Sequence, residues 1–289
     1  MNGNNATGTR TATGPATTAT GLTTTATGLA TPASPNRMPR RAPALGGFSG
    51  TFVGLEVRRL LRNRRTFIFT LIMPVFFFLI FGKGSQGSSV QGTDEAAYLL
   101  VSLAVYGAMV ATTAGGASVS VERAQGWSRQ LRLTPLRPAA YLAIKVLTAM
   151  VLGLASVVVE LVAGAVSGIR LPLHVWLLSG LAAWLCALVF AAFGLFMGYL
   201  LPSENVMQIL GPVLGVLAFF GGLFVPVQFL GSTMQAVAQY TPVYGVGEIA
   251  RYPLTHQGIS LTTVADVLVW TAVFAVGAAT LFRRDTARV

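Results

Sequence analysis

Charged residues are scarce in this sequence. They make up 10% of its 289 residues, against about a quarter in soluble domains. So few charges cannot cover a water-soluble globule of this size, and a soluble enzyme is excluded. Acids are scarcer still, with nine Asp and Glu against twenty Lys and Arg. Cysteine occurs once, at Cys186, which rules out an internal disulfide and a multi-cysteine metal site. Histidine occurs twice, at His174 and His256, and no H-E-x-x-H pattern exists. Lysine also occurs twice, at Lys83 and Lys145. Neither stands in G-x-x-x-x-G-K-[ST], so the chain has no phosphate-binding loop for ATP. G-x-S-x-G is missing too, which argues against an intramembrane hydrolase.

Apolar residues fill the space. They form 53% of the chain, and mean hydropathy is +0.66. Several runs exceed the ~20 residues needed to cross a bilayer. They are continuously apolar and do not alternate, which predicts membrane helices rather than a barrel. The net charge of +11 could mean nucleic acid. It sits at the edges of the apolar runs instead, so no nucleic-acid partner is expected.

Residues 1–45 are low in complexity and include three copies of a seven-residue Thr/Ala/Gly repeat between Thr11 and Thr31. They lack an apolar seam and bury too little to offset ordering entropy, so a disordered cytoplasmic tail is expected. Thr51 to Arg65 reads as a basic amphipathic helix. Val53, Val57, Leu60 and Leu61 share its apolar face, and such a helix lies in the membrane interface. Six spans follow: Thr66–Phe81 with Pro74 inside, Ala96–Val121, Ala139–Gly168, His174–Leu201, Val206–Val225 and Thr262–Phe282. A Gly/Ser-rich loop, Gly82–Glu95, joins the first two. Pro226–Leu261 is too polar and too broken by Pro and Gly for a span. Short helices at Ser232–Tyr240 and Val243–Arg251 are expected there, as a re-entrant segment packed against protein.

The most polar interior stretch runs from Glu122 to Lys145. It carries Arg123, Arg129, Arg132, Arg137 and Lys145 against the single acid Glu122. Trp127 to Leu133 spans about two helical turns. Trp127 and Leu131 share a face, with Arg129 and Arg132 off it. Thr134-Pro135 stops the helix, because Pro135 has no N–H. Six spans put both ends on one side. That side holds seventeen of the twenty Lys and Arg, and the other holds Lys83, Arg170 and Arg251. Basic excess marks the cytoplasm. Both termini and the short stopped helix are therefore expected inside, and the re-entrant segment outside.

Two polar residues within spans stand out as candidates for a substrate path. Glu160 is an acid well inside the third span, and Gln208 lies near the inner end of the fifth. Gly164-x-x-x-Gly168, Gly194-x-x-x-Gly198 and Gly211-x-x-x-Gly215 permit close helix approach.

Three blocks resemble an ABC-2 type ATP-binding-cassette transporter permease of the daunorubicin-resistance group. The helix before the first span resembles that family's connecting helix. Glu122-Arg123, Gly126, Leu131, Thr134-Pro135-Leu136, Tyr141 and Lys145 match the surroundings of its cytoplasmic coupling helix. Phe224, Pro226, Gln235, Tyr240-Thr241-Pro242, Tyr244 and Arg251 resemble its extracellular re-entrant segment. The resemblance covers Thr51 to Arg284, so residues 51–284 are expected to form the transmembrane domain. One departure follows Gly126. Many members carry a small residue, a hydrophobe and an acid there, where this chain has Trp127, Ser128 and Arg129.

The resemblance implies an all-α integral membrane fold in the plasma membrane. It implies a second permease chain, identical or related, and two nucleotide-binding ATPase subunits that hold the ATP and Mg. This chain would hold no cofactor and catalyse nothing itself. Glu122, Arg123, Gly126, Trp127, Arg129, Leu131, Arg132, Thr134 and Pro135 would couple it to the ATPase. Substrate would be met between the second and fifth spans of paired chains. The expected cargo is an amphipathic or apolar compound such as a drug or antibiotic, because the spans offer few charges to grip a polar solute. Two other readings compete: an ABC-2 permease for a lipid-linked glycan or other polymer, and a proton-driven secondary transporter using Glu160. A non-transporting sensor or immunity protein is a third.

Overall fold

Small side chains decide where the helices of this protein meet. The computed structural model describes residues 50–62, 64–82, 84–85, 87–126 and 138–287. The expected tail, the predicted helix Trp127–Leu133 and the Thr134-Pro135 stop lie outside the described residues. Two helices come first, α1 (Gly50–Arg62) and α2 (Arg64–Phe77), and α2 widens into a π-helical turn at Phe78–Gly82. A small hairpin, β1 (Ser89–Val90) and β2 (Thr93–Asp94), occupies the expected loop. Its turn residues Gln91 and Gly92 both have positive φ, 54° and 75°, the geometry that matches strand twist in a two-residue turn. Then come α3 (Glu95–Ala117), α4 (Val119–Ala124), α5 (Pro138–Val166), α6 (Leu173–Cys186), α7 (Leu188–Leu200) and α8 (Ser203–Phe220). After a 3₁₀ turn at Val227–Phe229, α9 (Ser232–Ala238), α10 (Pro242–Thr255) and α11 (Leu261–Ala287) complete the described chain.

Among the described residues, five stretches are long and apolar enough to cross a membrane: Glu95–Ala124, Ala139–Val166, Leu173–Leu200, Ser203–Phe220 and Leu261–Asp285. They match the second to sixth predicted spans. The first is represented by a shorter apolar helix, Thr70–Gly82. Three boundaries differ from expectation. The fifth span stops at Phe220 rather than Val225. Gly222 turns the chain with φ 73°, and the N–H of Leu223 closes on the Ala218 carbonyl at 3.0 Å. Pro226 then prevents any continuation. The sixth helix does not end at Phe282 but runs through both arginines to Ala287. The fourth is interrupted at Ala187.

Helix α3 is the centre. Of its apolar window 89% is buried inside the protein, against 11% for α11. Consecutive glycines serve its two neighbours. A Cβ on Gly115 would lie 2.8 Å from the Cα of Ala149 in α5. One on Gly116 would lie 2.6 Å from the Ala191 carbonyl oxygen in α7. From the other side, a Cβ on Gly194 would meet the Thr113 carbonyl oxygen at 2.2 Å. These backbones touch with nothing between them, which is how helices associate where no hydrophobic driving force acts. Val101, Val105, Met109, Phe190 and Phe193 fill the rest of this seam.

The two short helices expected beyond the fifth span are present as α9 and α10. Thr241 caps α10 by accepting the Tyr244 N–H at 3.4 Å, and Pro242 opens the helix. Both are helix-start chemistry.

Gly116→Leu should force α7 off α3 and cost roughly 1–3 kcal/mol of stability. A lowered thermal midpoint in detergent, with Gly258→Leu as an unaffected control because no described residue lies near that glycine, checks this.

Candidate functional site

Helix α4 ends in two adjacent residues of opposite charge. Successive side chains on a helix point about 100° apart, so Glu122 and Arg123 serve different neighbours. Glu122 turns toward α1 and α5. Its Oε1 accepts from Lys145 Nζ and from Arg59 Nη1, the latter at 3.1 Å, and its Oε2 accepts from the Tyr141 hydroxyl at 2.6 Å. Lys145 donates at the same time to Oε1 of Glu56 on α1. Lys145, Glu56 and Glu122 are all buried. Arg59 is half-exposed and also lies 3.8 Å from Glu56. Two carboxylates thus face two cations, which is what makes burial of Glu56, Glu122 and Lys145 tolerable.

Arg123 turns the other way. Its Nε and Nη2 grip both carboxylate oxygens of Asp285 in α11, at 3.2 and 2.9 Å. Its Nη1 donates to the carbonyls of Gly198 and Tyr199, at 3.1 and 2.9 Å. Those carbonyls belong to the last turn of α7, where intrahelical partners run out. The guanidinium also lies 5.5 Å from the centre of the Tyr199 ring. The base of α4 is therefore tied to α1, α5, α7 and α11 by two neighbouring residues. Gly126 follows with φ 76°, a left-handed conformation that suits glycine.

The site residues named from sequence divide accordingly. Glu122 is buried, so within this chain it braces the stem and offers no free carboxylate. Arg123 is likewise engaged internally. Trp127, Arg129, Leu131, Arg132, Thr134 and Pro135 lie outside the described residues, as do the side chains of Leu60 and Leu61. Val53 and Val57 are half-buried on α1, and Glu56 sits beside them in the same face. Sequence reading passed over Glu56, Arg59 and Asp285, and gave Lys145 no partner. One signal was available: Glu56 is the single acid in a stretch of arginines, and Lys145 the single lysine in an apolar run.

At the other end of α3 an apolar cavity of about 270 Å³ is lined by Phe77, Phe81, Leu99, Leu103, Phe219, Leu223, Phe224 and Val225. It lies between α2, α3 and the end of α8, and every lining side chain is apolar. Tyr106 and Phe224 pack at 4.8 Å between ring centres, Phe77 and Phe224 at 5.8 Å edge to face. Neither Glu160 nor Gln208 lines it. Glu160 is buried, and neither carboxylate oxygen has a hydrogen-bond partner among the described residues. Gln208 is exposed on α8.

The segment after α8 is pinned by Arg251, which is 1% exposed. Its guanidinium lies 4.7 Å from the centre of the Tyr98 ring. It donates to Ser102 Oγ at 3.0 Å and to Glu248 Oε1 at 2.9 Å. Arg251, assigned to the outer side by the charge count, thus reaches from α10 to α3 and is buried there. Pro226 and Pro242 are buried and Tyr244 half-buried. Tyr240 is exposed, while its carbonyl accepts from Trp270 Nε1 at 3.0 Å.

A family model described as ABC-2 type transporter matches residues 51–254. The chain belongs to the ABC-2 type transporter family. A relative named "Putative transport permease YvfS", from Bacillus subtilis (strain 168), is 30% identical over 194 residues. The alignment covers 66% of this chain and 79% of the relative. This ABC-2 chain is thus an all-α, multi-pass membrane protein and a transporter's membrane subunit. The family match takes in the charged node at α4, the cavity and Arg251, and ends before α11.

Arg251→Gln should release α10 from α3. Hydrogen exchange across Pro242–Thr255 should quicken about tenfold, the scale of one lost charge-assisted hydrogen bond. Unchanged exchange there would show that packing alone holds the segment.

Proposed function

We propose that this chain is the permease subunit of an ATP-binding-cassette exporter that moves an amphipathic or hydrophobic compound, drug-like or antibiotic-like, out of the cell. The observation that carries the reading is the wholly apolar cavity between α3 and α8 in a chain of this family. A cavity without a charged or hydrogen-bonding wall selects cargo by shape and apolar area. It offers nothing to hold the hydroxyls of a glycan.

The chain lacks a phosphate loop, so ATP and Mg belong on a separate ATPase subunit, two per complex. In this reading α2 with its π turn is a first, short span, giving six. The termini and the α4 end face the cytoplasm of a plasma-membrane protein, and α9 and α10 form the re-entrant segment outside. The ATPase holds the segment after Gly126. Trp127 and Leu131 supply its apolar anchor, since aromatic anchors dominate interfaces. Arg129, standing where many members have an acid, pairs with an acid of the ATPase. ATP-driven closure of the ATPase pair moves α4, and the assembly opens outward.

A second permease chain fits along α8. Gly194 and Gly198 pack on α3, whereas no described residue lies within 4 Å of where a Cβ on Gly211 or Gly215 would stand. Met207 and Val216 are exposed on the same helix. This unoccupied small-residue stripe supports pairing of two permeases there. A second reading, proton-driven transport, rests on the unpartnered carboxylate of Glu160.

Reconstitution with a candidate ATPase subunit tests the reading. Uptake of an apolar dye into inside-out vesicles should require ATP. Uptake that persists without ATP and falls in Glu160→Gln would favour the second reading. Trp127→Ala with Leu131→Ala should leave insertion intact but uncouple hydrolysis from uptake. Gly211→Leu with Gly215→Leu should convert paired permeases to single ones on size exclusion in mild detergent.

A further inference from the structure

The bridge at Lys145 is more specific than helix packing requires. Helix α1 rests mainly on α5. An apolar seam between the two would let them slide by small steps at little cost. Here the seam contains one buried ammonium shared by Oε1 of Glu56 and Oε1 of Glu122. The other oxygen of Glu122 is taken by Tyr141. Arg59 closes the ring from the half-exposed side, 3.1 Å from Glu122. Both oxygens of Glu122 and the Lys145 ammonium are engaged, and the Lys145 side chain is only 2% exposed. Sliding α1 by one turn would leave a buried charge without its partner, at a cost of several kcal/mol. The arrangement has one register.

We propose that Lys145 is a positioning residue for coupling, which locks α1, α4 and α5 into one lever through its two carboxylates. This rests on the exporter reading above and deepens it. Force applied beyond Gly126 enters α4. Through Glu122 and Lys145 it reaches α5 and α1 together, before any repacking of the apolar seams. Arg123, on the opposite side, passes the same displacement to α7 and α11.

The experiment uses the full complex with its ATPase in liposomes, and reads transport per ATP hydrolysed. Lys145→Met alone would strand two buried acids and unfold the protein, so the charges are removed together. The triple variant Glu56→Gln, Glu122→Gln, Lys145→Met leaves no buried charge unpaired, since Arg59 is half-exposed and turns to water, and it should keep the wild-type thermal midpoint and bind the ATPase normally. Its transport per ATP should fall about tenfold, the range expected for breaking a coupling contact. A second variant, Glu56→Cys with Lys145→Cys in a Cys186→Ser background, should show the same loss. A short bismaleimide linking the two thiols should restore the ratio.

Wild-type coupling in the triple variant would overturn the proposal. So would a cross-link confirmed by mass spectrometry that restores nothing. Failure of the exporter reading shows differently: the unsubstituted complex itself would lack ATP-driven transport, and the lever would fall with it.

Discussion

Direct contact between helix backbones is the constraint on which the structure depends. In water a helix finds its place by hiding an apolar stripe. In lipid every face is apolar, and position must come from fit. Helix α3 obtains its position from glycine and alanine on two sides, so that α5 and α7 lie against its main chain. Once these three are fixed, α11 rests on α7 and α10 on α6. The outer helices keep mostly lipid-facing surfaces, with Leu268, Val269, Val273 and Val276 of α11 exposed.

The two ends of α3 differ in chemistry. At one end charges gather in closed sets around Glu122 and Arg123. At the other, besides Asp94 and Glu95 where the helix starts and Arg251 with Glu248, aromatic and aliphatic side chains line the apolar cavity. The polar end is rigid because buried charges tolerate few arrangements. The apolar end is permissive because dispersion contacts have no direction. In the exporter reading proposed above, force enters at the polar end and cargo is met at the apolar end, and this division suits both.

Span positions were legible because a bilayer imposes length, and five of the six predicted runs coincide with apolar helices within a few residues. The short helices after the fifth span were legible from Thr241-Pro242 and from the glycine and proline breaks. The hairpin at Ser89–Asp94 was not, since two-residue strands carry no periodicity. The charged node was half legible. The motif around Glu122, Tyr141 and Lys145 was visible as a pattern. Its partner Glu56 lies 89 residues from Lys145 in the chain, and no local rule reports such a pairing. Counting charges assigned Arg251 to the outer side and could not report its burial over an aromatic ring, a common refuge for a cation. Glu160 and Gln208 stood out only as polar residues within spans, which says nothing about the cavity they would have to face.

The π turn at Phe78–Gly82 has a mechanical meaning. Its i→i+5 bonds make the last turn wider than a regular α-helical one, and the next described element is the hairpin. Phe77 stands before that wider turn and Phe81 within it, yet both form the cavity wall. Re-forming that last turn as regular α-helix would swing Phe81, one panel of the wall, while α2 before it stays in place.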